Sequence, residues 1–145
     1  MKKLLSEGGT MRFVNTGRKL RRMRAETGNL FKSVVYAAIG ISYFFRSEKN
    51  ARIQLAVSAI TITAGILLHL DKTEWIVVFV CIALVFALEM LNTAIEEMCD
   101  LLTTDFHPAI KVIKDLSAGA VATVGIGSVA AGLTIFLPKI IEALQ

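Results

Sequence analysis

The sequence predicts an all-α membrane protein, with an N-terminal amphipathic surface helix followed by three membrane-crossing helices. Three observations carry that reading. Hydrophobic residues make up 54% of the 145, and the mean hydropathy of +0.62 exceeds what a soluble domain of this size needs. Aromatics are only 8%, so the excess is aliphatic and small residues, the composition of lipid-facing helices. Three runs also reach the roughly 20 apolar residues that a bilayer crossing requires.

Taken in order, residues 1–28 form a basic leader with eight Lys/Arg (Lys2, Lys3, Arg12, Arg18, Lys19, Arg21, Arg22, Arg24) against Glu7 and Glu26. Its net charge of +6, against +4 for the whole chain, leaves the remainder at −2. The leader lacks interleaved aromatics and precedes membrane spans, so it reads as a cytoplasmic flank near anionic lipid; no nucleic acid is expected. No signal peptide is expected, because the first long apolar run begins near residue 51 and no cleavage site follows a short apolar region.

Residues 29–46, NLFKSVVYAAIGISYFFR, repeat Phe31, Val34, Val35, Ala38, Ile41 and Phe45 at helical spacing. Too short and mixed to span, this stretch fits an interfacial amphipathic helix. Ser47 then reads as the N-cap of the first span, residues 51–70, whose polar Arg52 and Gln54 fall in its first turn. DKTE is the tight turn of an antiparallel hairpin, and Trp75 sits where an interfacial anchor belongs. The second span covers 75–98 and the third 116–137, ended by Pro138, leaving 138–145 as a tail. Gly119, Thr123, Gly127 and Ala131 share one face of the third span and predict close helix packing. Residues 29–137 thus form one domain. Lysine and arginine in the short loops place the N-terminus and the 98–115 loop in the cytoplasm. Cys81 and Cys99 have neither disulfide nor metal-ligand spacing and read as small buried residues.

One feature resists a purely structural reading. WIVVFVCIALVFAL runs fourteen residues without a charge, and then comes EMLNTAIEEMCD. At 100° per residue, Glu89, Asn92, Thr93, Glu96 and Asp100 fall within about a 100° sector of one helix, while Glu97 points elsewhere, toward solvent. A carboxylate at the depth of Glu89 costs a few kcal/mol and persists only if it faces protein, a cation or water. Desolvation disfavours its charge, which suits a base working near neutral pH. Glu89 and Glu96 lie about 10.5 Å apart along the axis, too far to share one small cation unaided, so they divide the labour. Glu48, at comparable depth, is a candidate second ligand for a hard cation such as Mg²⁺. The structural alternative is an ion pair of Glu89 with Arg52.

The following LLTTDFHPAIKVIKDL adds parts that phosphate chemistry uses. Thr104 or Asp105 is expected to N-cap a helix carrying Pro108 in its first turn. Lys111, Lys114 and Asp115 cluster on that helix, where lysine can neutralise phosphate oxygens and the acid can accept a hydrogen bond from a base or sugar. His107 reads on its own as a loop or capping residue. Neither a P-loop nor a kinase-type glycine loop is present.

EMLNTAIEEMCD, with FRSEKNARIQ upstream and FHPAIKVIKDLSAGAV downstream, closely resembles the small bacterial integral-membrane diacylglycerol kinase and undecaprenol kinase family over roughly residues 29–137. The E-x-x-N-[S/T]-A-[I/V]-E core is the specific element. The resemblance implies a homotrimer in the bacterial inner membrane, with active sites shared between subunits, that phosphorylates a lipid alcohol from ATP with Mg²⁺. By position it makes Glu89 the general base, Asn92 the residue orienting it, and Glu48 and Glu96 the cation ligands. Tyr36, Asp105, His107, Lys114 and Asp115 match nucleotide-contacting positions. Asn29 stands where the diacylglycerol branch has arginine, and Ser117-Ala118 replace its Gly-Ser pair; FRSE-x-N and D-L-x-A-G-A-V resemble the undecaprenol-type branch more. The rival functional class is a small oligomeric transporter passing protons or cations along Glu89 and Glu96; a non-catalytic anchor leaves Glu89 unexplained.

Overall fold

The computed structural model describes residues 29–145 apart from Thr104, so the basic leader and one of the two N-cap candidates lie outside the described residues. Every regular element among the described residues is a helix: α1 (Asn29–Ser47), α2 (Lys49–Leu67), α3 (Lys72–Leu102) and α4 (Pro108–Ala143). The chain divides into a unit ending at Tyr43, which holds most of α1, and a unit from Phe44 to Gln145. In the second, α3 packs most extensively against α4 and less against α2.

Helices α2, α3 and α4 are long and apolar enough to cross a membrane. At 1.5 Å per residue the 31 residues of α3 extend about 46 Å and the 36 of α4 about 54 Å, so both outreach a hydrocarbon layer of roughly 30 Å. Large apolar side chains stand exposed along them, Ile60 at 69% and Ile126 at 73%, a surface that only hydrocarbon or another protein chain covers without penalty.

Four local expectations are corrected. Ser47 does not cap α2. It closes α1, its hydroxyl bonding back to the Phe44 carbonyl at 3.4 Å, and Glu48 occupies the N-cap position without a side-chain capping bond. The Glu48 carboxylate is therefore not spent on the helix end. Nearby, Phe44 is buried and meets Phe45 and Phe86 edge to face at 5.3 and 6.5 Å, which pins the start of α2 beside α3.

The hairpin turn, second, lies upstream of DKTE. After α2 ends, His69 adopts a left-handed backbone (φ 53°). Leu70 N–H bonds Gly65 O at 3.0 Å and His69 N–H bonds Ile66 O at 3.2 Å, the paired pattern that closes a helix C-terminus. DKTE instead opens α3. Asp71 is its N-cap and accepts from the N–H groups of Thr73 and Glu74 at 2.7 and 2.9 Å, while Glu74 accepts from Asp71 N–H at 2.8 Å. This reciprocal box satisfies orphan donors that a loose turn would leave to solvent.

Third, Asp105 is not the cap of α4. His107 takes that position, with no side-chain capping bond, and Pro108 follows at the first helical position. Fourth, Pro138 does not end the helix, which continues to Ala143. Lys139 pairs with Glu74 at 3.1 Å and ties the segment after the proline to the start of α3. The helix bearing Lys111, Lys114 and Asp115 and the third span are thus one element. As for the small-residue face of α4, a Cβ added at Gly119 or Gly127 would meet nothing within 4 Å, so those two positions pack against no other helix among the described residues.

Gly65 is different, because a Cβ there would lie 2.9 Å from Cη2 of Trp75 and 3.3 Å from Leu70. Trp75 is itself stacked on Phe79 with ring centroids 5.3 Å apart, so the indole has little room to retreat. Gly65→Ala is expected to destabilise the hairpin by about 1–3 kcal/mol, as overpacking does. Adding Trp75→Phe should recover most of the loss; reversible unfolding of the four proteins in micelles gives the cycle.

Candidate active site

The side chains singled out on α3 are brought together with α2 and α4 at the end of the bundle where α2 begins and α4 begins. Glu89 and Thr93 are the two buried polar residues among those described. Glu89 does not face bare hydrocarbon: Gln54 of α2 donates from Nε2 to its Oε1 at 2.7 Å. The Arg52 ion pair is not formed; among the described residues the hydrogen-bond partner of Glu89 is this neutral amide. One amide donor leaves the carboxylate's other oxygen able to receive a proton, whereas a bidentate arginine would occupy both. The other end of the amide, Gln54 Oε1, is buried with no partner among the described residues. Gln54 also lines an apolar cavity of about 300 Å³ between the three spans, bounded by Val57, Val78, Ile82, Val85 and Ile135.

One turn along α3, Asn92 donates from Nδ2 to Glu96 Oε1 at 3.0 Å. Its amide therefore holds Glu96, while the amide that touches Glu89 belongs to Gln54. From α4, Ser117 Oγ lies 2.6 Å from Asn92 Oδ1 and donates to it. Glu97, expected in solvent, is half-buried.

Glu48 is half-buried just outside α2. Burial pushes its carboxyl above the ordinary glutamate value of 4.5, and the neighbouring carboxylates of Glu96, Glu89 and Glu97 push it further in the same direction. Acids that repel one another across two helices make a cation-seeking site. Among the described residues no three His, Cys, Asp or Glu come together as a cage for a metal ion. Two carboxylates, Glu48 and Glu96, fit Mg²⁺, which commonly takes one or two carboxylates and completes its shell with phosphate oxygens and water.

Beyond the carboxylates, Lys114 Nζ bonds Asp100 Oδ1 at 2.5 Å, and Lys111 pairs with Asp115. With Asp100 at 63% exposure this is a surface pair worth at most about 1 kcal/mol, easily exchanged for a phosphate. Asp105 and His107 are exposed in the α3–α4 connection, where Asp105 N–H bonds Thr103 Oγ1 at 3.0 Å. Tyr36 lies on α1, within the unit that ends at Tyr43. Cys99 is buried, as expected, and Cys81 lines the cavity.

Two participants escape a reading of the sequence. Gln54 looks like a polar residue tolerated at a helix start, and Ser117 looks like one more small residue in a small-residue helix. A faint signal exists for Gln54, since an uncharged hydrogen-bonding side chain inside a span needs a partner as much as an acid does.

The raised Glu48 carboxyl sets the sign of a pH dependence. Its native form binds protons more tightly than the unfolded chain, so its contribution to stability is complete below pH 4.5 and is lost as pH rises through the raised value. In divalent-free buffer, Glu48→Gln should gain stability relative to the parent between mildly acidic and neutral pH, with no gain at pH about 4. Thermal unfolding in micelles across that range measures it.

The sequence profile described as prokaryotic diacylglycerol kinase matches residues 35–136. An undecaprenol kinase of Bacillus subtilis is 42% identical over 117 residues, covering 81% of this chain and 95% of that protein. A diacylglycerol kinase of Synechocystis is 38% identical over 117 residues, covering 80% and 67% respectively. A diacylglycerol kinase of Haemophilus influenzae is 30% identical over 93 residues, 64% of this chain and 79% of its own length. The match covers Glu48, Glu89, Asn92, Glu96 and Lys114, and the chain belongs to the prokaryotic diacylglycerol kinase family.

Proposed function

We propose that this protein transfers the γ-phosphoryl group of ATP to the hydroxyl of a membrane lipid alcohol, either undecaprenol or diacylglycerol. The observation that carries the proposal is a buried glutamate, Glu89, held by a neutral amide rather than neutralised by a cation. The 42% identity to an undecaprenol kinase, together with FRSE-x-N and D-L-x-A-G-A-V, favours a polyprenol over a diacylglycerol.

Glu89 accepts the proton of the lipid hydroxyl as its oxygen attacks the γ-phosphorus in line, the bond from that phosphorus to the β,γ-bridging oxygen breaks, and ADP leaves. Gln54 keeps one Glu89 oxygen engaged and the other directed at substrate, and the cavity beside it offers hydrocarbon volume for part of the lipid chain. Lys114 exchanges Asp100 for phosphate oxygens. Glu48 and Glu96 would hold Mg²⁺ on the nucleotide, and the ion would supply charge neutralisation at the transferring group. Tyr36, Asp105, His107 and Asp115 complete the nucleotide contacts, Asn92 secures the metal-side acid, and the site opens to the cytoplasm of a bacterial inner-membrane protein whose N-terminus lies on the same side. The exposed apolar helices and the open Gly119–Gly127 face support a homotrimer with sites shared between subunits.

Purified protein with labelled ATP, Mg²⁺ and either lipid tests this directly. Glu89→Gln should lower kcat by about 10²–10⁴-fold, the range general-base removal costs, with the oligomer and its melting unchanged. Gln54→Leu should cost about tenfold in kcat and leave the Michaelis constant for ATP in place, because it touches the base and not the nucleotide. Full turnover in Glu89→Gln would remove the base. Proton or cation flux in vesicles without lipid phosphorylation would favour the transporter.

A further inference from the structure

We infer that Ser117 is a positioning residue that sets the aim of Glu96 through the amide of Asn92; this rests on Glu96 being a cation ligand, as proposed above. The hydroxyl of a helical serine ordinarily bonds the carbonyl three or four residues back. Ser117 has that option, with Lys114 O at 2.9 Å, yet it also reaches Asn92 Oδ1 across the α3–α4 interface at 2.6 Å. The direction of the proton is forced. Asn92 Nδ2 lies 3.0 Å from the carboxylate of Glu96, which accepts, so Oδ1 faces α4 and can only accept as well. Ser117 is the donor on that side.

Without that donor the two ends of the Asn92 amide lose their distinction. Rotated by half a turn, the amide would present its oxygen to the Glu96 carboxylate, acceptor against acceptor, and the bond that orients Glu96 would be gone. Donation into Oδ1 also polarises the amide and strengthens its N–H toward Glu96. Ser117 and Lys114 share one helix, three residues apart, so the element that carries the phosphate-seeking lysine also sets the acid facing the metal.

The test uses the full chain in micelles. Mn²⁺ is titrated by electron paramagnetic resonance in the presence of a non-hydrolysable ATP analogue, and the Asn92 side-chain amide is followed by NMR without metal. Ser117→Ala should weaken Mn²⁺ binding about tenfold, as loss of a group supporting a metal ligand does, and shift the Asn92 amide resonances. Ser117→Thr, which keeps the hydroxyl, should restore both. Parental Mn²⁺ affinity and an unmoved Asn92 amide in Ser117→Ala would overturn the inference, as would failure of Ser117→Thr to restore them. Glu96→Gln run in parallel separates the two levels: if it too leaves Mn²⁺ affinity unchanged, the ligand assignment falls and takes this inference with it.

Discussion

A carboxylate in a hydrocarbon layer must be answered by something, and here the answer to Glu89 is the amide of Gln54, 35 residues away in sequence. The rest of the architecture serves that meeting. The two residues face each other only if α2 and α3 run antiparallel in one register, and that register is set at the far end of the hairpin. There His69 takes a left-handed backbone, Leu70 closes α2 onto Gly65, and Asp71 with Glu74 opens α3. Trp75 seated over Gly65 holds the two helix ends together. A slip of one residue on α3 would turn its face by 100° and carry Glu89 away from the amide.

The acids are arranged in tiers with different partners. Glu89 has a single neutral donor from α2, Glu96 has an amide donor from its own helix, and Glu48 stands at a helix start with no capping duty. None of these partners is a cation. Repulsion among the carboxylates is therefore left standing, and it adds to burial in pushing the Glu48 carboxyl upward. A bound cation relieves repulsion of this kind, which is what the proposed metal site would do. Lys114, reaching in from α4, is engaged by an exposed aspartate in a bond weak enough to exchange.

Much of this was legible in the sequence because it depends on periodicity within one helix. The three apolar helices, the acidic face of α3 and the Lys111–Asp115 spacing follow from 1.5 Å and 100° per residue, and the structure contains them, although α3 and α4 run beyond the spans expected. What could not be read is set between helices. The partner of Glu89 could have been Arg52 or Gln54, two residues apart on α2, and only the interhelical register decides. Ser117 carries no signal, since a serine among glycines and alanines reads as packing. The misplaced turn has a local cause: DKTE is as good a capping box as it is a loop, and the left-handed residue that makes the true turn is a histidine, where glycine would have announced it. Pro138 reads as a stop because proline removes a helix bond, but Lys139 and Glu74 hold the last turns in place.

That ion pair also bears on the site at the other end of the molecule. Lys139 and Glu74 are each about one quarter exposed, so their attraction is screened less than that of the Lys114–Asp100 pair. Helix α4 is unbroken from Pro108 to Ala143, and a continuous helix carries position from one end to the other. Fixed to α3 by Lys139 at one end and by Ser117 at the other, α4 has little freedom to slide along its partner. Sliding by one residue would move Ser117 by about 1.5 Å, more than the tolerance of its bond to Asn92. The distance between the carboxylates on α3 and the lysine on α4 is thereby held in the resting protein. In the phosphoryl transfer proposed above, where positioning and charge supply most of the acceleration, that rigidity would serve the reaction directly.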